Sequence, residues 1–186
     1  NPDVMEKMGD KMRSRKLARK AGLPILPGTD DAVANADAST KAWELGFPLM
    51  VKAADGGGGI GIHIIENQEE LMPLIDRTRQ ISESAFGSSR LFFERYLKDA
   101  SHIEVQLLGD THGNLVHLHE RDCSVQRRNQ KLVEETPSST KLTPKLRRRV
   151  SNLATKLGKF IGYSSLGTVE FLVSADGSVF FLEMNT

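Results

Sequence analysis

Two strand-like runs near the end of the 186-residue chain, Gly167-Thr168-Val169-Glu170-Phe171-Leu172-Val173 and Val179-Phe180-Phe181-Leu182-Glu183-Met184-Asn185, flank Asp176-Gly177. β-branched and aromatic residues on both sides of an Asp-Gly pair specify a hairpin. A two-residue type I′ turn at Asp176-Gly177 sets Glu170 directly opposite Glu183. The same register puts Val169, Phe171, Val173, Phe180, Leu182 and Met184 on one apolar face, the expected core. Thr168, Glu170, Leu172, Phe181, Glu183 and Asn185 occupy the other face. Carboxylates facing one another cost a few tenths to about 1 kcal/mol relative to neutral neighbours, so a positive group is expected between them. Glu170, Glu183 and the amide oxygen of Asn185 are hard ligands of the kind that hold Mg²⁺ or Mn²⁺. A solvated face with scattered acids is the alternative, and Phe181 and Leu172 on that face argue for a cover.

Charge narrows the classes of partner. Twenty-five Lys+Arg against 24 Asp+Glu leave a formal charge of +1, so no global field recruits nucleic acid or anionic lipid, and any anion must be held locally. No apolar run approaches the ~20 residues that cross a bilayer. Neither nucleic acid nor membrane is expected as a partner. The single cysteine, Cys123, cannot close an internal disulfide, which points to a reducing compartment, the cytoplasm or a mitochondrial matrix. The chain enters a helical pattern at Val4 and stops inside a strand pattern at Thr186, so it reads as an excerpt of a longer protein.

Between these ends the pattern is α+β. Met5, Met8 and Met12 open a helix stopped by Gly22-Leu23-Pro24, and Ser39 to Leu45 is a short helix closed by Gly46 and Pro48. Leu49 to Ala54 and Ile60 to Ile65 form a hairpin around Asp55-Gly56-Gly57-Gly58-Gly59. Asn67 caps a helix from Gln68 to about Ala85 whose start Pro73 distorts. Leu91 to Leu97, His102 to Leu107 and Leu115 to His119 are strands of an antiparallel meander. Thr143-Pro144 starts a helix with Leu146, Val150, Leu153 and Leu157 down one face.

Two further stretches carry chemistry. Consecutive glycines let backbone N–H groups approach an anion, and Lys52 lies on the strand before them; a plain loop tip has the same composition. Glu120 to Glu135 is densely polar and of mixed sign. It is either a strand and loop holding a small anionic substrate or a surface ion-pair lattice. Cys123 reads as a buried packing residue, and the five histidines lack metal-site spacing.

Met8-Gly9-Asp10-Lys11, Val51-Lys52-Ala53 with Gly56 to Gly59, Glu94-Arg95-Tyr96-Leu97, His102-Ile103-Glu104-Val105-Gln106, Glu120-Arg121-Asp122-Cys123-Ser124, Gln126 to Lys131, Gly167 to Phe171 and Phe181 to Thr186 together resemble the ATP-grasp core of biotin carboxylase, the ATP-dependent component of biotin-dependent carboxylases. The resemblance implies a small glycine-hairpin lid subdomain and a larger metal-binding subdomain. The corresponding division is a leading helix over 1–24, the lid over 25–97 and an ATP/Mg-binding part over 98–186. It implies that Lys11 and Lys52 contact ATP phosphates, that Gly58 and Gly59 close over them, and that Glu94 and Leu97 meet adenine. His102, Asn129 and Glu170 also belong to the implied nucleotide site. Glu170, Glu183 and Asn185 are the implied Mg²⁺ (or Mn²⁺) ligands, and Lys131 the catalytic residue that holds bicarbonate.

Such enzymes carboxylate carrier-borne biotin through carboxyphosphate. The implied partners are therefore a biotin carboxyl carrier protein or domain and a carboxyltransferase component, in a homo-oligomeric full-length assembly. Two positions depart from the family pattern: Ile60 stands where many relatives have Arg or Lys, and Asp55 replaces a small residue. The family's bicarbonate arginine and general base follow the position of Thr186, so the chain by itself is expected to bind nucleotide without carboxylating biotin. Another ATP-grasp ligase, of carbamoyl-phosphate or carboxylate-amine type, and a non-catalytic nucleotide-binding module are the competing readings.

Overall fold

The computed structural model describes residues 2–55, 57–138 and 142–186. Gly56 of the expected glycine tip lies outside the described residues. The chain divides into two compact units, one of 1–9, 13–25 and 98–186 and the other of 10–12 and 26–97.

The first unit is built on a five-stranded antiparallel sheet. Its strands are β4 (Ser101–Gly109), β5 (Leu115–Arg127), β6 (Gln130–Glu135), β7 (Leu166–Val173) and β8 (Val179–Asn185), in the order β6-β5-β4-β7-β8. One face packs on helix α5 (Pro144–Phe160), where Ile103, Val105, Leu107, Val169 and Phe171 meet Val150, Ala154 and Leu157. α5 begins as its sequence dictates: Thr143 caps the Leu146 N–H at 3.2 Å and Pro144 occupies the first turn. The expected opening helix is two, α1 (Pro2–Gly9) and α2 (Lys11–Lys20), broken at Asp10. Val4 and Met8 are buried while Met5 is exposed.

Two turns differ from expectation. The β7–β8 connection is a three-residue loop, Ala175-Asp176-Gly177, closed by Ser174 N donating to Ser178 O at 3.0 Å, with Gly177 left-handed at φ 82°. A type I turn completed by a left-handed glycine is the standard three-residue hairpin. It shifts the pairing by one, matching Phe171 to Phe181 and Leu172 to Phe180; a bulge at Leu182 then restores Glu170 opposite Glu183. Phe181, not Phe180, is therefore in the core, where its ring meets Phe171 edge-on at 6.5 Å. The polar stretch after His119 is a continuation of β5 that turns through Arg128 and Asn129, both at positive φ (54° and 62°), into β6. Two left-handed residues joining Arg127 to Gln130 make the tight hairpin.

The second unit holds a three-stranded antiparallel sheet, order β2-β1-β3, from β1 (Leu49–Ala53), β2 (Ile62–Ile65) and β3 (Leu91–Arg95). Helices α3 (Asn35–Leu45) and α4 (Leu71–Phe86) supply Ala38, Ala42, Leu71 and Ile75 to its core with Leu49, Val51 and Phe93. α4 starts three residues later than the sequence suggested, which leaves Pro73 in the first turn, where its missing N–H has no intrahelical partner to lose. Asn67 accepts from Glu70 N at 3.2 Å just ahead of it.

Candidate active site

In the first unit, register alone lines up one row across four strands. Arg121 on β5 pairs with Glu104 on β4, Glu104 with Glu170 on β7, and Glu170 with Glu183 on β8. Directly opposed residues share a face, so three carboxylates and a guanidinium converge on the face away from α5. Glu104 and Glu170 are each only 2 % exposed. Buried like charges on adjacent strands require cations, and Lys131 of β6 supplies one. Its Nζ donates to Glu104 Oε2 at 2.5 Å and to Glu170 Oε1 at 2.8 Å. Arg121 Nε donates to Glu104 Oε1, and its Nη1 reaches Gln106 Oε1 at 3.1 Å.

The expected positive group lies between Glu170 and Glu183, whereas the ammonium found here bridges Glu170 to Glu104, a pairing that hairpin arithmetic within β7–β8 does not contain. His102 Nε2 lies 2.5 Å from Glu170 Oε2, and Gln126 Nε2 lies 2.6 Å from His102 Nδ1. A Gln126 N–H donated to Nδ1 leaves the imidazole proton on Nε2, where it serves Glu170. Asn185 Nδ2 donates to the other Glu170 oxygen at 2.7 Å.

The electrostatics follow. Burial works to raise the Glu170 carboxyl, but the His102 hydrogen bond and the Lys131 ammonium more than offset it and hold the group at about 2. Burial alone would discharge Lys131, yet its bonds to Glu104 and Glu170 raise its pKa instead, so it stays fully protonated while 24 % exposed. Glu104, Cys123 and Glu134 lie within 4.8 Å of one another, but Glu104 is already spent on Arg121 and Lys131. Burial, with the Glu104 charge, pushes the Cys123 thiol up to about 12. That trio is an ion-pair lattice around a packed thiol, as expected for Cys123. At the β7–β8 end of the row Glu183 faces Glu170 by register and Asn185 Nδ2 bonds to Glu170. Carboxylate and amide oxygens of this kind suit a hard cation, which would have to replace bonds that Glu170 makes to His102, Lys131 or Asn185. Turning the Asn185 amide over presents its oxygen instead of its nitrogen.

A folded-state pKa depressed from 4.5 to about 2 contributes stability that is present above pH ~4.5 and is lost as pH falls toward 2. That contribution is of order 3 kcal/mol. Urea unfolding of Glu170→Gln between pH 6 and 2.5 is expected to show a flatter decline than the parent protein; parallel declines would refute the assignment.

In the second unit Lys52 Nζ donates to Glu94 Oε2, both buried. The two belong to neighbouring strands, Lys52 opposite Phe92 and Glu94 opposite Met50. The glycine tip is built for left-handed backbone: Gly58, Gly59 and Gly61 have φ of 67°, 76° and 70°. Lys11 N donates to Ala54 O at 3.4 Å, which brings the first turn of α2 to the root of that hairpin. Leu97 is half-buried just after β3. Asn129 stands exposed at the β5–β6 tip. Of the residues nominated from sequence, His102, Lys131, Glu170 and Asn185 are joined by hydrogen bonds, Glu183 faces Glu170 by register, and Lys52 and Glu94 pair in the second unit. Glu104, Arg121 and Gln126 were not nominated as site residues. The alternation His102-x-Glu104-x-Gln106 already placed Glu104 on the His102 face and was the available signal.

Residues 10–186 match the carbamoyl-phosphate synthase L chain, ATP binding domain family. The chain belongs to that family. It is 46 % identical over 184 residues to the small subunit of 2-oxoglutarate carboxylase from Hydrogenobacter thermophilus, covering 98 % of this chain and 39 % of that protein. It is 43 % identical to biotin carboxylase 2 of Bacillus subtilis, covering 100 % of this chain and 42 % of the relative. The chain therefore spans about two-fifths of the length of these relatives. Its fold is the ATP-grasp fold of biotin carboxylase. The Campylobacter jejuni biotin carboxylase, solved as a β-γ-ATP complex, superposes with a TM-score of 0.95 at 43 % identity, over 98 % of this chain and 41 % of that one. The biotin carboxylase domain dimer of Hydrogenobacter thermophilus 2-oxoglutarate carboxylase, solved with MgADP, ADP and bicarbonate, does so at 0.95 and 46 %, over 99 % and 41 %. Among the described residues no helix is long and apolar enough to cross a membrane.

Proposed function

We propose that this chain is the ATP-binding core of a biotin carboxylase, an ATP-dependent ligase that carboxylates carrier-borne biotin. The observation that carries the reading is Lys131, kept protonated between two buried carboxylates yet partly exposed, as a fixed cation for a small anion. Lys131 holds bicarbonate there. A bicarbonate oxygen attacks the γ-phosphorus of ATP, the bond to the β-phosphate oxygen breaks, and ADP leaves carboxyphosphate. The bond from the carboxyl carbon to the phosphate oxygen then breaks as the biotin N1′ takes the carbon, and the N1′ proton leaves with the inorganic phosphate. Because phosphoryl transfer asks mainly for positioning and charge neutralisation, Lys11, Lys52 and the backbone of Gly58 and Gly59 take the phosphates, and Glu94, Leu97, His102 and Asn129 orient the rest of the nucleotide. Glu170, Glu183 and Asn185 would hold Mg²⁺ (or Mn²⁺), which supplies further neutralisation of phosphate charge. The partners are a biotin carboxyl carrier and a carboxyltransferase component, in a homo-oligomer in the cytoplasm or mitochondrial matrix.

Two measurements test this. Bicarbonate-dependent ADP formation, stimulated by free biotin in the full-length protein, is the expected result; stimulation by ammonia or an amine substrate instead would assign a different ATP-grasp ligase, and nucleotide binding without turnover a non-catalytic module. Glu183→Gln should fold normally and bind nucleotide with a weaker dependence on Mg²⁺, by on the order of tenfold for one lost carboxylate ligand. Unchanged magnesium dependence would remove Glu183 from the metal site.

A further inference from the structure

The root of the glycine hairpin carries a charged clasp that the proposed chemistry leaves unused. Arg90 Nε donates to Asp55 Oδ2 at 2.8 Å and its Nη2 to Asp55 Oδ1, while the same Nη2 donates to Asp10 Oδ2 at 2.9 Å. Ser88 Oγ adds a bond to Asp55 Oδ2 at 2.6 Å. Main-chain bonds join the same segments, Ala54 N to Arg90 O at 2.9 Å and Lys11 N to Ala54 O at 3.4 Å. One planar guanidinium thus ties together three places. They are the α2 turn that bears Lys11, the exit of β1 three residues beyond Lys52, and the entry to β3, which bears Glu94.

Stability alone does not explain the arrangement. The Arg90 side chain is 45 % exposed, although Asp10 and Asp55 are more covered at 14 % and 31 %, so the pairs contribute only modestly to folding. A bidentate fork does fix direction and separation, which a lysine or a simple charge cannot. Asp55 also poses a problem of its own, since a bare carboxylate beside backbone N–H groups that face polyphosphate would repel it. Its carboxyl is held below the usual range by the Arg90 hydrogen bond foremost, so its charge persists and needs a counterion there.

We propose that Arg90 is a positioning residue for nucleotide: by clasping Asp55 and Asp10 it holds the glycine-hairpin root and the Lys11 turn in the arrangement that receives phosphates, and it cancels the Asp55 charge. The inference rests on the nucleotide-binding reading above and adds a function to two acidic residues and an arginine that this reading does not employ.

The test uses the chain itself with Arg90→Met, Arg90→Lys, Asp55→Asn and the double variant Asp55→Asn/Arg90→Met. Two readouts are taken: amide hydrogen exchange of residues 57–61 without nucleotide, and affinity for MgADP and MgATP. Arg90→Met is expected to speed exchange of those amides and to weaken both nucleotides on the order of tenfold, the range by which residues not touching a ligand modulate its binding. Its melting temperature should fall by no more than about 4 °C from the parent. Arg90→Lys should fall between. The double variant should regain only part of the affinity lost by Arg90→Met, because the repelling charge is gone while the root stays untied and its exchange stays fast; full recovery would leave charge cancellation alone and remove the positioning role. Wild-type exchange and affinity in Arg90→Met overturn the proposal. If Arg90→Met does not fold, Asp55→Asn decides: accelerated exchange at 57–61 supports the clasp and parental exchange overturns it. If the parent binds neither nucleotide, the function proposed above fails, and the apo exchange rates still accept or reject the clasp.

Discussion

Lys131→Met is expected to destabilise the five-stranded unit by about 3 kcal/mol near pH 7, the lower end of what removing one member of a buried charge pair costs. The reason is geometric. Glu104 and Glu170 are directly opposed on adjacent strands, both nearly inaccessible to water, and Lys131 is the cation shared between them. Arg121 and His102 remain after the substitution, one on each carboxylate, which is why the loss is not larger. Adding Glu104→Gln to Lys131→Met should recover more than half of it, since one of the two like charges is then removed. Urea denaturation of the two variants measures both quantities. A loss below about 1 kcal/mol, or no recovery in the double variant, would mean that the carboxylates do not depend on the ammonium.

The second large effect separates two adjacent phenylalanines. Phe181→Ala is expected to cost about 3–5 kcal/mol, the usual result of deleting a fully buried ring, because Phe181 is 1 % exposed and packs on Phe171. Phe180→Ala should cost less than about 1.5 kcal/mol, since Phe180 lies on the opposite, half-covered face. The simple two-residue hairpin requires the reverse order. Thermal or urea unfolding of the pair therefore tests the bulge at Leu182 as directly as it tests the core, and equal losses would argue against the register.

Local signals read well wherever the physics is local. The α5 start at Thr143-Pro144, the glycine-tipped β1–β2 hairpin and the family motifs all depend on residues a few positions apart. Glu170 did end up opposite Glu183, but through two irregularities that cancel, a three-residue loop and a one-residue bulge. A type I′ turn does occur, at Arg128-Asn129 rather than Asp176-Gly177. Asn is a familiar left-handed residue and Arg is not, so the pair carried no turn signature. α4 began late because Pro73 fits only the first turn.

By itself, the chain's alternation and motif content determined the α+β class, the ATP-grasp family and most of the residues that bear charge on the polar sheet face. Only the tertiary structure decided who pairs with whom. Strand β4 pairs with β7 although β5, β6 and α5 lie between them in sequence, and that adjacency places Glu104 beside Glu170 and lets Lys131 bridge them. Arg90 likewise meets residues 35 and 80 positions away in sequence. Such contacts are set by the closure of long loops and by burial of opposite sheet faces, and neither leaves a periodic trace in the segment that makes the contact.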